Sequence, residues 1–159
     1  MGVPEMWPAQ REAVSFCLER PAAMLDMGMG CGKTRVAVEV IRRREDVRRV
    51  LVVCPKAVIP VWGRECAKYL GPGTYQVHER SVSATVAKTA EAARAVLDRD
   101  PGDVLELLVV NYDSVWRKPL GDVLYGAAKR GDLDTVVLDE SHRAKAAGSK
   151  VSKYLAMLG

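Results

Sequence analysis

"LDMGMGCGKTR", residues 25–35, ends in Gly32-Lys33-Thr34, the close of the general phosphate-loop pattern G-x-x-x-x-G-K-S/T, yet Met27 stands where that pattern has its first glycine. Two readings follow: a nucleotide-binding loop, or a flexible turn that carries a lysine. A phosphate loop must follow a buried strand and open a helix, so that backbone N–H groups converge on phosphate oxygens while the lysine adds a mobile charge. The flanks meet that requirement. "AAML" (22–25) is a short apolar run that reads as the strand, and "KTRVAVEVIRRR" (33–44) reads as a helix with Val36, Ala37, Val40 and Ile41 on one face.

The same beat repeats outward from the loop. Residues 8–20 read as a helix with Ala13, Phe16 and Cys17 at helical spacing, stopped by Pro21. "RVLVVCP" (49–55) is a buried strand, 59–70 a helix, "GPG" (71–73) a turn and "TYQVH" (74–78) a third strand. An alanine-rich helix over 83–99 is broken by Pro101-Gly102, and "LELLVVNY" (105–112) is again strand-like. A polar helical stretch to Arg130 precedes "DTVVLDESHR" (134–143), an apolar strand ending in acids, and 149–158 begins one more helix. Strands alternating with helices predict an α/β domain: a mostly parallel sheet with helices on both faces and its ligands at the strands' carboxyl ends.

Composition narrows the function classes. A chain of 159 residues fits one domain and leaves no room for a second catalytic one. The formal net charge of +4 is compatible with a polyanionic partner but does not require one. Cys17, Cys31, Cys54 and Cys66 form no C-x-x-C pair and no zinc-like spacing, so they read as reduced, intracellular cysteines. "MGVPEMWPAQ" lacks a basic start followed by an apolar run, and no stretch approaches the ~20 apolar residues that span a bilayer, so a cytoplasmic protein without membrane contact is expected. Arginines 42–44, 48 and 49 could form a phosphate footprint. More simply they are the solvated end of the helix that follows the loop, set favourably against its dipole.

A second constellation decides between the two readings of the loop. Val136-Val137-Leu138 runs into Asp139-Glu140, which places Asp139 at the sheet's carboxyl edge, where the glycine loop also lies. Such an aspartate can hold Mg²⁺ together with Thr34, and Glu140 can orient or deprotonate an attacking water. Alone, an Asp-Glu pair after a strand also serves as a helix N-terminal cap. Paired with Lys33 in one α/β domain, it points to a nucleoside triphosphatase with Lys33, Asp139 and Glu140 in the catalytic roles.

"DESH" (139–142), with Arg143 and Lys145 behind it, resembles motif II of superfamily-two DExH-box helicases, and "MGMGCGKT" (27–34) resembles the M-G-x-G-K-T loop of their Swi/Snf-type branch, including phage-encoded relatives. In that branch the first glycine of the general motif is commonly absent, so Met27 becomes a family feature. The resemblance covers nearly the whole chain and implies a RecA-like P-loop domain that binds ATP and Mg²⁺. Its nucleotide contacts would come from Met29, Gly30, Cys31, Gly32, Lys33, Thr34 and Arg35. "WPAQ" (7–10) is similar to the branch's upstream P-x-Q element, which implies that Gln10 reads the adenine edge, a task an amide suits because it offers a donor and an acceptor side by side.

"VVCPKAVIPVW" (52–62) resembles motif Ia, and "VVNYDS" (109–114) the motif often written T-T-Y-E, which carries nucleic-acid backbone contacts onto Lys56, Asn111 and Tyr112, with Arg143 beside them. Asn111 and Asp113 depart from the commonest family residues. Read from the residues alone, Pro55 and Trp62 are equally well turn and core. His142 takes, by the same resemblance, a coupling role. The sequence ends at "YLAMLG", where the family continues into the strand of motif III. The resemblance therefore implies that residues 1–159 are the first RecA-like domain of a DNA helicase or translocase, truncated before motif III. The partners so implied are double-stranded DNA and a second RecA-like domain, in cis or in trans, that brings an arginine finger. Without that arginine the chain should hydrolyse ATP weakly. The competing expectation is a stand-alone nucleotide-dependent nucleic-acid-binding module with little hydrolysis. If the protein is phage-encoded, its cytoplasm is the host's.

Overall fold

A computed structural model of the chain describes residues 4–28, 30–80, 83–144 and 148–158; Met29 and Lys145 thus lie outside the described residues. Strands β1 (Arg49–Cys54), β2 (Tyr75–Glu79), β3 (Leu105–Asn111) and β4 (Thr135–Leu138) form one sheet in the order β2-β3-β1-β4, every pair parallel. All six residues of β1 are buried, as expected of a strand covered on both faces. Its side chains alternate between two cores. Leu51 and Val53, with Leu108 and Val110 of β3, pack under helices α4 (Val86–Leu97), α5 (Tyr112–Val115), α6 (Leu120–Arg130) and α7 (Lys150–Leu158). Val50 and Val52, with Leu107 and Val109, pack under α2 (Lys33–Arg43) and α3 (Ile59–Tyr69).

A third, smaller cluster of Met6, Val14 and Val36 seats α1 (Pro8–Leu18) on α2. Helix α2 therefore lies between α1 and the sheet. It buries Val36 toward α1 and Val38 and Ile41 toward the sheet, so its apolar surface is wider than the single stripe Val36, Ala37, Val40 and Ile41 read from periodicity.

At the amino ends of the strands, Asp134 Oδ2 accepts the N–H groups of Arg48 and Arg49, both at 2.7 Å, which fixes the start of β1 against β4. Arg49 is itself buried. Its guanidinium pairs with Glu106 at 3.0 Å and donates to the carbonyls of Val96 and Leu97, which the end of α4 leaves without helical partners. Arg99 closes a second pair with Glu106. The arginine run is thus dispersed: Arg42 and Arg43 pair with Glu39, Arg44 donates to the carbonyls of Cys17 and Arg20, and Arg49 is a core residue. A solvated helix end describes only part of it.

One expected strand does not form. Residues 22–25 carry no ladder, and Met24 is exposed, so the glycine loop is approached by a segment that is not a strand of the sheet. Four apolar residues, two of them alanine, bury too little to hold a strand when no neighbouring edge pairs with them.

Candidate nucleotide site and adjoining cationic groove

The loop enters α2 through Gly32, whose φ of +77° lies in the left-handed region. The backbone there favours glycine, and a Cβ would lie 2.5 Å from Gln10 Nε2, so the amide would have to shift away from its place on the loop. Gln10, buried on α1, accepts the Trp7 N–H at 3.1 Å and donates to the Cys31 carbonyl at 3.1 Å. The amide thereby ties α1 to the loop and retains one donor and one acceptor position. Lys33, the first residue of α2, directs its ammonium to the carbonyls of Met27 at 2.9 Å and Gly28 at 3.4 Å. Thr34 is half-buried on the same first turn.

Arg35 departs from the expectation of a nucleotide contact. It is buried between helices, its guanidinium 3.8 Å from the Tyr69 ring centre and 3.8 Å from Glu39, which makes it a packing residue of the α2–α3 interface.

Opposite the loop, Asp139 is held at three points. Its N–H donates to the Val53 carbonyl at 2.9 Å, continuing the β1–β4 pairing one residue past β4. Its carbonyl accepts the Tyr112 hydroxyl at 2.8 Å, and its Oδ2 accepts the Trp62 indole N–H at 3.1 Å. Burial raises the carboxyl's pKa above the ordinary range, and the charge of Glu140 adds to that, while hydrogen bonds from Trp62 and the Glu140 backbone and the charge of Lys33 pull it down.

Glu140 has φ +53°, the one positive value outside glycine among the described residues, a backbone cost of the sort that persists where surrounding structure over-determines it. Its carboxylate is solvent-exposed and lies 3.3 Å from His142 Nδ1. His142 therefore meets the acid pair directly, on an outward-facing 3-10 turn, Ser141–Ala144.

Beside the acid end of β4 lies a groove of about 380 Å³ lined by Lys56, Tyr112, Asp113, Trp116, Arg143 and Lys150, among others. Lys150 stands over the Trp116 ring at 5.2 Å, and Arg117 approaches the same ring at 5.5 Å. Of the four positions expected to meet nucleic acid, Lys56 and Arg143 present exposed cations here. The other two are spent inside the domain. Asn111 is 2% exposed and caps α5 by accepting the Ser114 N–H at 2.9 Å, and Tyr112 is 6% exposed with its hydroxyl committed to Asp139. Tyr112 lines the groove and holds Asp139, and Asn111 fixes the start of α5. Lys150 and Trp116 were not legible as groove residues, because only the packing of α7 against α5 and α6 brings them to Lys56.

The sequence from residue 9 to residue 159 matches the model of the SNF2-related domain. The chain belongs to that family. Its homology is therefore to an ATPase module of the helicase and translocase type. No curated protein matches the chain significantly. Among solved structures it is similar to the Sulfolobus solfataricus SWI2/SNF2 ATPase core in complex with dsDNA, at 16% identity and a TM-score of 0.56, over 96% of this chain and 36% of that one. At that identity the likeness bears on the fold, a RecA-like α/β core, and the chain spans about a third of that structure's length. Among the described residues no helix is long and apolar enough to cross a membrane.

Proposed function

We propose that this chain binds Mg²⁺·ATP between the glycine loop and Asp139, takes the backbone of double-stranded DNA along its cationic groove, and serves as the ATP-hydrolysing first domain of a Swi/Snf-type DNA translocase or helicase. The observation that carries this reading is the SNF2-related domain match over residues 9–159, supported by Lys33 opening α2, Asp139 following β4, and Lys56, Arg143 and Lys150 lining one groove. Lys33 would exchange the carbonyls of Met27 and Gly28 for β- and γ-phosphate oxygens, joined by the N–H groups of the first turn of α2. Gln10 would offer its remaining donor and acceptor to the adenine edge while still holding the Cys31 carbonyl.

The donor set suits magnesium. Among the described residues no cluster of three or more carboxylate, histidine or cysteine side chains forms a protein cage, and Mg²⁺ characteristically takes one or two protein oxygens plus phosphates and water. Thr34 and Asp139 would hold it; when bound, the ion neutralises charge on the phosphate oxygens. Glu140, exposed toward solvent next to Asp139, would orient the attacking water, with His142 against its carboxylate. A second RecA-like domain, in cis or in trans, would complete the machinery with an arginine.

The test is a steady-state ATPase assay on this chain with and without duplex DNA. An arginine finger is worth ~10³–10⁵ in turnover, so slow hydrolysis is expected, rising when a second RecA-like domain is supplied. DNA binding should be weak, indifferent to sequence and steeply salt-dependent. Fast, DNA-stimulated turnover by these residues alone would overturn the need for the second domain. Nucleotide-dependent DNA binding with no hydrolysis under either condition would favour the stand-alone binding module.

A further inference from the structure

Trp62 is 1% exposed, in the core between α3 and the sheet, and a buried indole N–H requires an acceptor. The acceptor here is a carboxylate, Asp139 Oδ2 at 3.1 Å. The same aspartate is anchored through both of its backbone groups, by Val53 at 2.9 Å and Tyr112 at 2.8 Å. With the main chain fixed, the remaining freedom of Asp139 is rotation of its side chain, which the indole N–H restrains together with the backbone N–H of Glu140.

We propose that Trp62 is a positioning residue for the metal-holding carboxylate: its N–H sets the orientation in which Asp139 meets the Mg²⁺ of the bound nucleotide. This rests on the nucleotide-site reading above and adds to it a residue outside both the glycine loop and the acid pair. Outer partners that orient a metal ligand are commonly worth ~10–100-fold in metal affinity. A tryptophan that only filled the core would affect folding and leave the metal dependence of nucleotide binding unchanged.

The experiment titrates Mg²⁺ into the 159-residue chain with a fluorescent ATP analogue, and repeats the nucleotide titration in EDTA, for the parent and Trp62→Phe. The phenyl ring keeps an apolar group in the core and removes the N–H. The expected result is an increase of ~10-fold or more in the Mg²⁺ concentration at half-saturation, in the range of orienting partners, with metal-free affinity unchanged. An unshifted Mg²⁺ midpoint in a folded Trp62→Phe protein would overturn the assignment, as would an equal loss of metal-dependent and metal-free binding.

Lys33→Ala separates the two layers. If it binds the analogue as the parent does, the nucleotide site itself is wrong. If it loses binding while Trp62→Phe keeps its Mg²⁺ midpoint, only the role of Trp62 fails. Should Trp62→Phe not fold, the ¹⁵N-labelled indole signal of Trp62 in the parent gives the answer: it should move when Mg²⁺ is added to the nucleotide-bound chain and should be displaced in Asp139→Asn. A signal indifferent to both would refute the proposal.

Discussion

Asp139 follows a strand whose ladder runs on to Val53, with a core tryptophan on its carboxylate, whereas the described residues of the loop before Lys33 belong to no strand. The acid half is preorganised by the sheet and both aromatic anchors. The loop half is held by a few polar contacts: Gln10 to the Cys31 carbonyl, and Lys33 to carbonyls that a phosphate would displace. Rigidity in one half and adaptability in the other suit a site that closes on a ligand. Changes on the acid side should therefore register first as stability, and changes on the loop side first as binding.

The largest effect expected from this contrast is that of Trp62→Ala. Emptying a fully buried tryptophan site typically costs about 3–5 kcal/mol, enough to lower the urea midpoint of unfolding severely. A variant with near-parental stability would show the acid half to be no more rigid than the loop. Next comes Gly32→Ala, where a Cβ collides with Gln10 and the residue is forced to stay left-handed. About 1–2 kcal/mol of destabilisation is expected, with a disproportionate loss of nucleotide binding; retained binding would place the loop's function elsewhere.

The two halves should also differ in sign as pH changes. Glu39 on α2, hydrogen-bonded by Arg42 and Arg43, has its carboxyl lowered to about 2 from an ordinary 4.5, so it stabilises the fold above pH 4.5 and that stabilisation is lost as pH falls toward 2. Asp139 is shifted the other way, so its contribution is most favourable at low pH and declines as pH rises through its raised pKa. At neutral pH, Glu39→Gln should lower the melting temperature, by about 1 kcal/mol of stability since its arginine partners are half-exposed, while Asp139→Asn should raise it. Shifts of the same sign would break the comparison. Smallest in energy is the labelling of cysteines. Cys31 is partly exposed in the loop, whereas Cys54 and Cys66 are buried with thiols pushed up to about 12. Alkylation mapped by mass spectrometry should find Cys31 first, with protection by Mg²⁺·ATP; first modification of Cys17 or Cys66 would contradict an open loop.

How much of this was legible in the sequence follows from range. The strands β1 and β3 and their helices are written in local apolar runs and breakers, and the sheet agrees with them. Gly32 and Lys33 at the start of α2 and Asp139 at the end of β4 were placed from local signatures, the glycine-lysine pair before a helix and the acids after an apolar run. Residues 22–25 misled because a strand needs a partner edge, which no local pattern reports. Asn111 and Tyr112 were read as surface contacts, but a cap and a hydroxyl bond 27 residues away in sequence, to Asp139, turn them inward. Trp62 was legible as core; its acceptor, 77 residues downstream, was not. The available clue was the rule that a buried indole must find an acceptor near an acid-ended strand. Arg49 likewise read as part of a solvated arginine run until the parallel register of β1 and β3 set it beside Glu106.

The central claim, that the lysine loop and the sheet-anchored aspartate form one nucleotide site, is tested most directly by calorimetric titration of Mg²⁺·ATP into the parent, Lys33→Ala and Glu140→Gln. Removing the lysine deletes charge-assisted hydrogen bonds worth about 1.5–3 kcal/mol each, so affinity should fall by at least about tenfold. Glu140→Gln should bind as the parent does while turnover is suppressed. Equal affinity in the parent and Lys33→Ala would contradict the site.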